Sequence, residues 1–193
     1  MHTAAMVTGA GQGIGREIAL VLARKGVKVG VVDLREDTAM EVAREIVREG
    51  GSAFSVVADV SQVDAVREAA KNIKGELGAI GILVTDMKKA KWGRLIFMSS
   101  LAGRMGGYAN GLGYSAAKAG MIGLARGFAT RLARWGITSN AIAPGTTDSE
   151  IIRQIPEKRR QQLRAMIPVG RLGHPKDIAN LVSFLTSVDA EFI

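Results

Sequence analysis

No cysteine occurs in the 193 residues, which excludes disulfides and thiolate chemistry. Histidine is nearly as scarce. His2 and His174 cannot build a zinc site without several carboxylates, so no metal is expected. Aromatic residues make up only 5% of the chain, too few for the stacking platforms of a single-strand nucleic-acid binder. No apolar run approaches the roughly eighteen residues of a membrane span. Before Gly9 there is neither a charged segment nor an apolar stretch of signal length, so a cytoplasmic location away from membranes is expected.

What is present suits one globular unit. An apolar content of 47% against 23% charged residues supports a single domain over residues 1–193 with a sizeable core. The formal charge of +8 would attract polyanions whatever the fold. The cations are nevertheless scattered along helical stretches, with short clusters only at Lys88 to Lys91 and Lys158 to Arg160. A solvated basic surface is expected rather than a nucleic-acid interface.

Apolar β-branched runs alternate with helix-period segments. Strands are predicted over 4–7, 27–33, 53–57, 80–84, 94–98 and 138–142, and helices over 14–25, 38–49, 63–77, 115–135 and 176–187. Strands and helices taking turns imply a doubly wound, mostly parallel α/β sheet of Rossmann type, with helices on both faces. Ligands of such sheets bind at the carboxyl ends of the strands. One connection breaks the pattern. Only nine residues separate Val84 from Arg94, whereas a parallel crossover needs about a dozen or more. The expectation is that a stretch of chain is missing around Thr85 and Asp86.

Gly9, Gly11, Gly13 and Gly15 punctuate the segment Thr8-Gly9-Ala10-Gly11-Gln12-Gly13-Ile14-Gly15 between the first strand and first helix. Glycine is needed where a pyrophosphate approaches unpaired backbone N–H groups, here including those of Gln12 and Ile14. Arg16 stands where the common G-x-G-x-x-G fingerprint wants its third glycine; Gly9, Gly13 and Gly15 instead form G-x-x-x-G-x-G. Alone, this is also what a tight turn that binds nothing would look like. Asp33 follows Gly15 by 18 positions, close to the ~20 at which an acid meets the adenosine ribose. A carboxylate there accepts from the ribose hydroxyls and repels a 2′-phosphate, favouring NAD over NADP. Arg35, two residues on, could pair with that phosphate, and Asp33 could instead cap the following helix.

Tyr114 and Lys118 stand four residues apart on the long helical stretch, one turn apart on one face. A free phenol titrates near pH 10, whereas an adjacent ammonium and a cationic nicotinamide ring favour its ionised form. Such a pair can exchange a proton with a substrate oxygen. Tyr108 has Leu112 four positions on and lacks that partner. Ser99 and Ser100 follow the strand over 94–98, at a carboxyl end where a hydroxyl could hydrogen-bond a carbonyl or alkoxide oxygen. Side chains alternate along a strand, so one of the two should face the site.

From Thr3 onward these residues resemble the short-chain dehydrogenase/reductase family. The resemblance rests on the T-G-x-x-x-G-x-G loop of Thr8, Gly9, Gly13 and Gly15, on Ser100, and on the Tyr114–Lys118 pair. It implies hydride transfer between a nicotinamide cofactor and a carbonyl or secondary alcohol, with Ser100, Tyr114 and Lys118 catalytic. It further implies that Asp59 and Val60 lie near the adenine and Pro144 and Gly145 flank the nicotinamide. Ser149 would meet the carboxamide, with Thr147 contributing backbone, Lys118 would hold the nicotinamide ribose, and Tyr114 would also contact the cofactor. Two departures stand out. The Asn-Asn-Ala-Gly motif and the helix carrying a catalytic asparagine are not found after Val84, and the last strand of the family's sheet is not found after Ile193.

Within the family the stretches 93–109 and 168–173 look most like 3-oxoacyl-acyl-carrier-protein reductases, implying an acyl thioester substrate and a homo-oligomer, tetramer or dimer. A sugar, polyol or secondary-alcohol dehydrogenase is the alternative that Asp33 favours. A catalytically impaired dinucleotide-binding regulator is the non-enzymatic one. Residues 146–167 are expected to form a substrate lid.

Overall fold

The computed structural model describes residues 4–78, 83–106 and 111–193. Its first half is the series β1 (Ala4–Thr8), α1 (Gly13–Arg24), β2 (Lys28–Asp33), α2 (Glu36–Arg48), β3 (Ala53–Val57) and α3 (Val63–Leu77). The three strands lie in the order β1-β2-β3, all parallel, with Thr8 opposite Val32 and Asp33 opposite Val57. The second half holds α4 (Val84–Ala90), β4 (Gly93–Met98), α5 (Ala102–Met105), α6 (Leu112–Leu132), β5 (Ile137–Ile142), α7 (Glu150–Arg153), α8 (Glu157–Ala165) and α9 (Pro175–Leu185). Here β4 and β5 pair in parallel, Gly93 opposite Ile137 and Met98 opposite Ile142.

Strand β2 shows why the sheet takes helices on both faces. Val29 and Val31 are fully buried on one side, and Val32 on the other, each burial stabilising by about 1.5–3 kcal/mol. The first side forms one apolar cluster with Ile18 and Leu22 of α1, Val42 and Ile46 of α2, and Val182 and Leu185 of α9. On the second side Val32 packs with Ala69, Ile73 and Leu77 of α3. Gly30 makes room for that helix: a Cβ there would stand 2.5 Å from Ile73 Cδ1. The β4–β5 pair continues the same layering. Ile96, Met98 and Ile142 join the α1 side, whereas Leu95 and Ile137 pack with Met87 of α4 and Leu132 of α6. The architecture is therefore the expected doubly wound, Rossmann-type α/β fold.

Boundaries differ from the sequence reading at one place of consequence. Val84, predicted to end a strand, instead opens α4, and residues 80–82 of that predicted strand lie outside the described residues. The reason lies in packing between elements. Met87 is 2% exposed because it lies against Gly93, where a Cβ would meet its sulfur at 2.6 Å. Among the described residues, no strand joins β1 to β4. The four-residue α5 was not anticipated, and the predicted helix over 115–135 begins earlier, at Leu112, and ends as a separate 3₁₀ turn over Ala133–Trp135.

Candidate active site

The turn from β1 into α1 is shaped by glycine. Gly9 and Gly13 have φ of +64° and +58°, the left-handed region that L side chains avoid. A Cβ on Gly15 would stand 2.1 Å from the Gly9 carbonyl oxygen, and one on Gly11 would stand 2.4 Å from Thr38 Oγ1. Gln12 occupies the N-cap of α1 without a side-chain cap bond, and the helix's first turn, which includes Ile14, carries no acidic residue. The amino end of a 12-residue helix is thus left to whatever anion approaches over bare backbone. These features fit the pyrophosphate of a dinucleotide.

Asp33, at the carboxyl end of β2, is built into that turn. Its Oδ2 accepts from the Gly11 N–H at 2.8 Å and its Oδ1 from the Arg35 N–H at 3.2 Å. Arg35 turns its guanidinium to Gln12 Oε1, 3.3 Å away. The Ala58 N–H donates to the Asp33 carbonyl, which brings the end of β3 and Asp59 alongside. Asp59 accepts from the Ser61 N–H at 2.9 Å, and that bond holds its carboxyl below the usual range. Val60 next to it is more than half exposed, an apolar surface beside the acid.

The second part of the site lies at the carboxyl ends of β4 and β5. Ala10 and Ile14 of the glycine turn share one apolar cluster with Met98 and Ile142, so both parts occupy the same end of the fold. Ser99 and Ser100 diverge as strand alternation requires. Ser99 is buried and its hydroxyl donates to the Lys118 carbonyl at 2.7 Å, whereas Ser100 Oγ, half-buried, accepts from the Ala102 N–H at 3.2 Å. Lys118 Nζ donates to the Met98 carbonyl at 2.9 Å and lies 5.7 Å from the centre of the Tyr114 ring. Tyr114 is 45% exposed. Tyr108 lies outside the described residues.

The loop after β5 closes the same corner. The Leu101 N–H donates to the Pro144 carbonyl at 2.9 Å, and Thr147 Oγ1 donates to the Gly145 carbonyl at 3.2 Å. Thr147 is buried and bridges in parallel to Gly173. Ser149 is the half-buried residue just before α7 and makes no cap bond there. Two positioning contacts escaped the sequence reading. One is the Ser99 bond to the Lys118 carbonyl. The other is Gly103, where a Cβ would lie 2.6 Å from the Lys118 carbonyl carbon. A small residue one turn past a strand end was the only local signal for it.

A glycine-shaped turn that fits a pyrophosphate and a tyrosine–lysine corner at the carboxyl ends of parallel strands are the features a nicotinamide-dependent oxidoreductase needs. The chain matches the short chain dehydrogenase pattern over residues 3–86 and the enoyl-(acyl carrier protein) reductase pattern over residues 85–193. It is 35% identical over 234 residues to a 3-oxoacyl-[acyl-carrier-protein] reductase FabG of Staphylococcus epidermidis, covering 100% of this chain and 95% of that protein. The FabG proteins of Pseudomonas aeruginosa and Escherichia coli are each 33% identical, over 98% of this chain and 92% and 91% of their own lengths. The chain belongs to the short-chain dehydrogenase/reductase family and is an oxidoreductase of CH–OH and carbonyl groups. The two family patterns meet at residues 85–86, and the aligned span of 234 residues exceeds the 193 here. That agrees with chain being missing around Thr85 and Asp86 relative to these proteins. No helix among the described residues is long and apolar enough to cross a membrane.

Proposed function

We propose that this oxidoreductase reduces the keto group of a 3-oxoacyl thioester, with Ser100, Tyr114 and Lys118 as its catalytic residues. The observation that carries the reading is the position of Lys118 Nζ, 5.7 Å from the Tyr114 ring centre, at the strand end that also presents Ser100. The names of the FabG relatives supply the substrate class. The Ser100 hydroxyl orients the substrate oxygen by donating to it. Tyr114 hands its phenolic proton to that oxygen, and the Lys118 ammonium stabilises the negative charge left on the ring oxygen. When bound, the nicotinamide supplies the hydride that the carbonyl carbon receives.

The same chain's residues would hold that cofactor. The N–H groups from Gly9 to Gly15, Gln12 and Ile14 included, receive the pyrophosphate; Asp33 receives the adenosine ribose hydroxyls; and Asp59 and Val60 border the adenine. Lys118 retains two ammonium protons beyond the one given to Met98, enough for the nicotinamide ribose. Pro144, Gly145, Thr147 and Ser149 border the nicotinamide, and residues 146–167, observed as α7 and α8, form the lid. A carboxylate at Asp33 makes NAD the preferred form, since a 2′-phosphate would meet a like charge. The exposed Arg35 guanidinium beside Gln12 supports the second reading, NADP.

Initial rates with NADH and NADPH against acetoacetyl thioesters, and with NAD against polyols and secondary alcohols, test substrate class and cofactor together. Turnover confined to alcohols overturns the thioester assignment and favours a sugar, polyol or secondary-alcohol dehydrogenase. Cofactor binding without any turnover favours a regulator. Self-association, expected for the family, is checked by sedimentation.

A further inference from the structure

Beyond the hydride-transfer corner, the loop after β5, helices α7 and α8, and the segment before α9 enclose a second recess of about 420 Å³, lined by Asp148, Arg153, Arg160, Arg164, Arg171 and His174. Its volume falls in the range of small-ligand sites. We propose that this recess is an oxyanion site that takes a phosphate group.

The lining favours it by the donors it gathers. Four guanidiniums line the recess against the single carboxylate of Asp148. Asp148 is occupied by both Nε and Nη2 of Arg153, at 3.1 and 3.0 Å. Two further carboxylates reach in from outside the lining: Glu157 is shared between Arg160 and Arg164, and Asp177 pairs with Arg171 at 2.7 Å. Three carboxylates therefore hold the four guanidiniums by direct contacts, and Glu150 adds its field at Arg153, so the recess is rich in donors and not in net charge. Arg160 carries the second observation. Its Nε is buried and has no hydrogen-bond partner among the described residues, in a molecule where an unpartnered buried donor is costly. His174 lines the same recess, its Nδ1 accepting from the Lys176 N–H at 3.2 Å. Planar guanidiniums gathered on one recess suit the tetrahedral oxygens of a phosphate, bound by charge-assisted pairs.

The phosphate could belong to the substrate or be a free ion. Titration of inorganic phosphate into the full chain at constant ionic strength, followed by calorimetry, tests the site without requiring turnover. Saturable binding is expected, weakened roughly ten-fold or more in Arg160→Gln/Arg164→Gln and weakened also in Arg171→Gln, which lines the recess from the segment before α9. The variant Lys158→Gln/Arg159→Gln makes the same charge change on exposed neighbours outside the lining and should bind as the parent does. Lack of saturation overturns the proposal. Equal loss in both double variants overturns it too, because it would mean diffuse attraction. So would undiminished binding in Arg160→Gln/Arg164→Gln, which would place the ion at the glycine turn. Phosphate that raises the KM of a phosphate-bearing thioester and not of a phosphate-free one assigns the site to the substrate; phosphate binding that moves neither KM assigns it to the free ion.

Discussion

Lys118 reaches back from α6 to the end of β4, its ammonium 2.9 Å from the carbonyl oxygen of Met98. That bond aims the side chain along the strand end and fixes it near Tyr114, so charge and position are supplied by one residue. Replacement by methionine keeps the apolar stem and removes the head. In Lys118→Met, kcat should fall about 100-fold or more and the KM for the dinucleotide should rise, because proton transfer and ribose binding both lose a partner. Steady-state kinetics with the cofactor varied would show the pair of effects, and a change in kcat alone would contradict the ribose contact.

Proton transfer is the proposed chemical role of Tyr114, which also borders the cofactor. Tyr114→Phe should therefore lower kcat by about 10²–10⁴-fold while quenching of NADH fluorescence reports an unchanged dissociation constant. A variant that retains more than a tenth of the parent rate would remove the phenol from the chemistry.

Asp33 bonds the Gly11 N–H in the structure and, in the proposed function, also receives the ribose hydroxyls. Asp33→Asn keeps an acceptor for Gly11 and discards the negative charge. The ratio of kcat/KM for NADH over NADPH should drop by about ten-fold, as expected when a like-charge clash of roughly 1–2 kcal/mol is relieved. Asp33→Ala should share that shift and also unfold at lower urea, since the buried side of the turn loses its acceptor.

Gly30 faces Ile73 across the β2–α3 contact with no room for a methyl group. Gly30→Ala should destabilise by about 1–3 kcal/mol through overpacking, seen as a lower urea midpoint with unchanged slope. The double variant Gly30→Ala/Ile73→Val should recover part of the loss, which a simple backbone effect at Gly30 would not allow.

The start of α9 carries an acid-sensitive cap. The Arg171 guanidinium, and after it the His174 N–H, holds the Asp177 carboxyl below the usual carboxylate range. A carboxyl depressed in the folded state contributes stability that is complete above its unfolded value. That contribution disappears as pH falls through the folded one. Asp177→Asn should therefore show a flatter fall of melting temperature below about pH 4 than the parent. Parallel curves would mean that the cap does not titrate with folding.

The recurrence of strand and helix periods was enough to determine most of the fold from the sequence. β3 over Ala53–Val57 and α3 over Val63–Leu77 were read at those same residues, because alternation, turn chemistry and amphipathic spacing are local properties. The glycine turn, Asp33 at its strand end and the one-turn spacing of Tyr114 and Lys118 were legible for the same reason. Tertiary contacts decided the rest. Val84 opens a helix because Met87 finds a place beneath Gly93, and Ser99 turns to the Lys118 carbonyl while Ser100 stays at the rim. The arginines of α7 and α8 converge with Arg171 and His174 on one recess. Each of these outcomes depends on which distant residues become neighbours, a relation that spacing along a single chain does not encode.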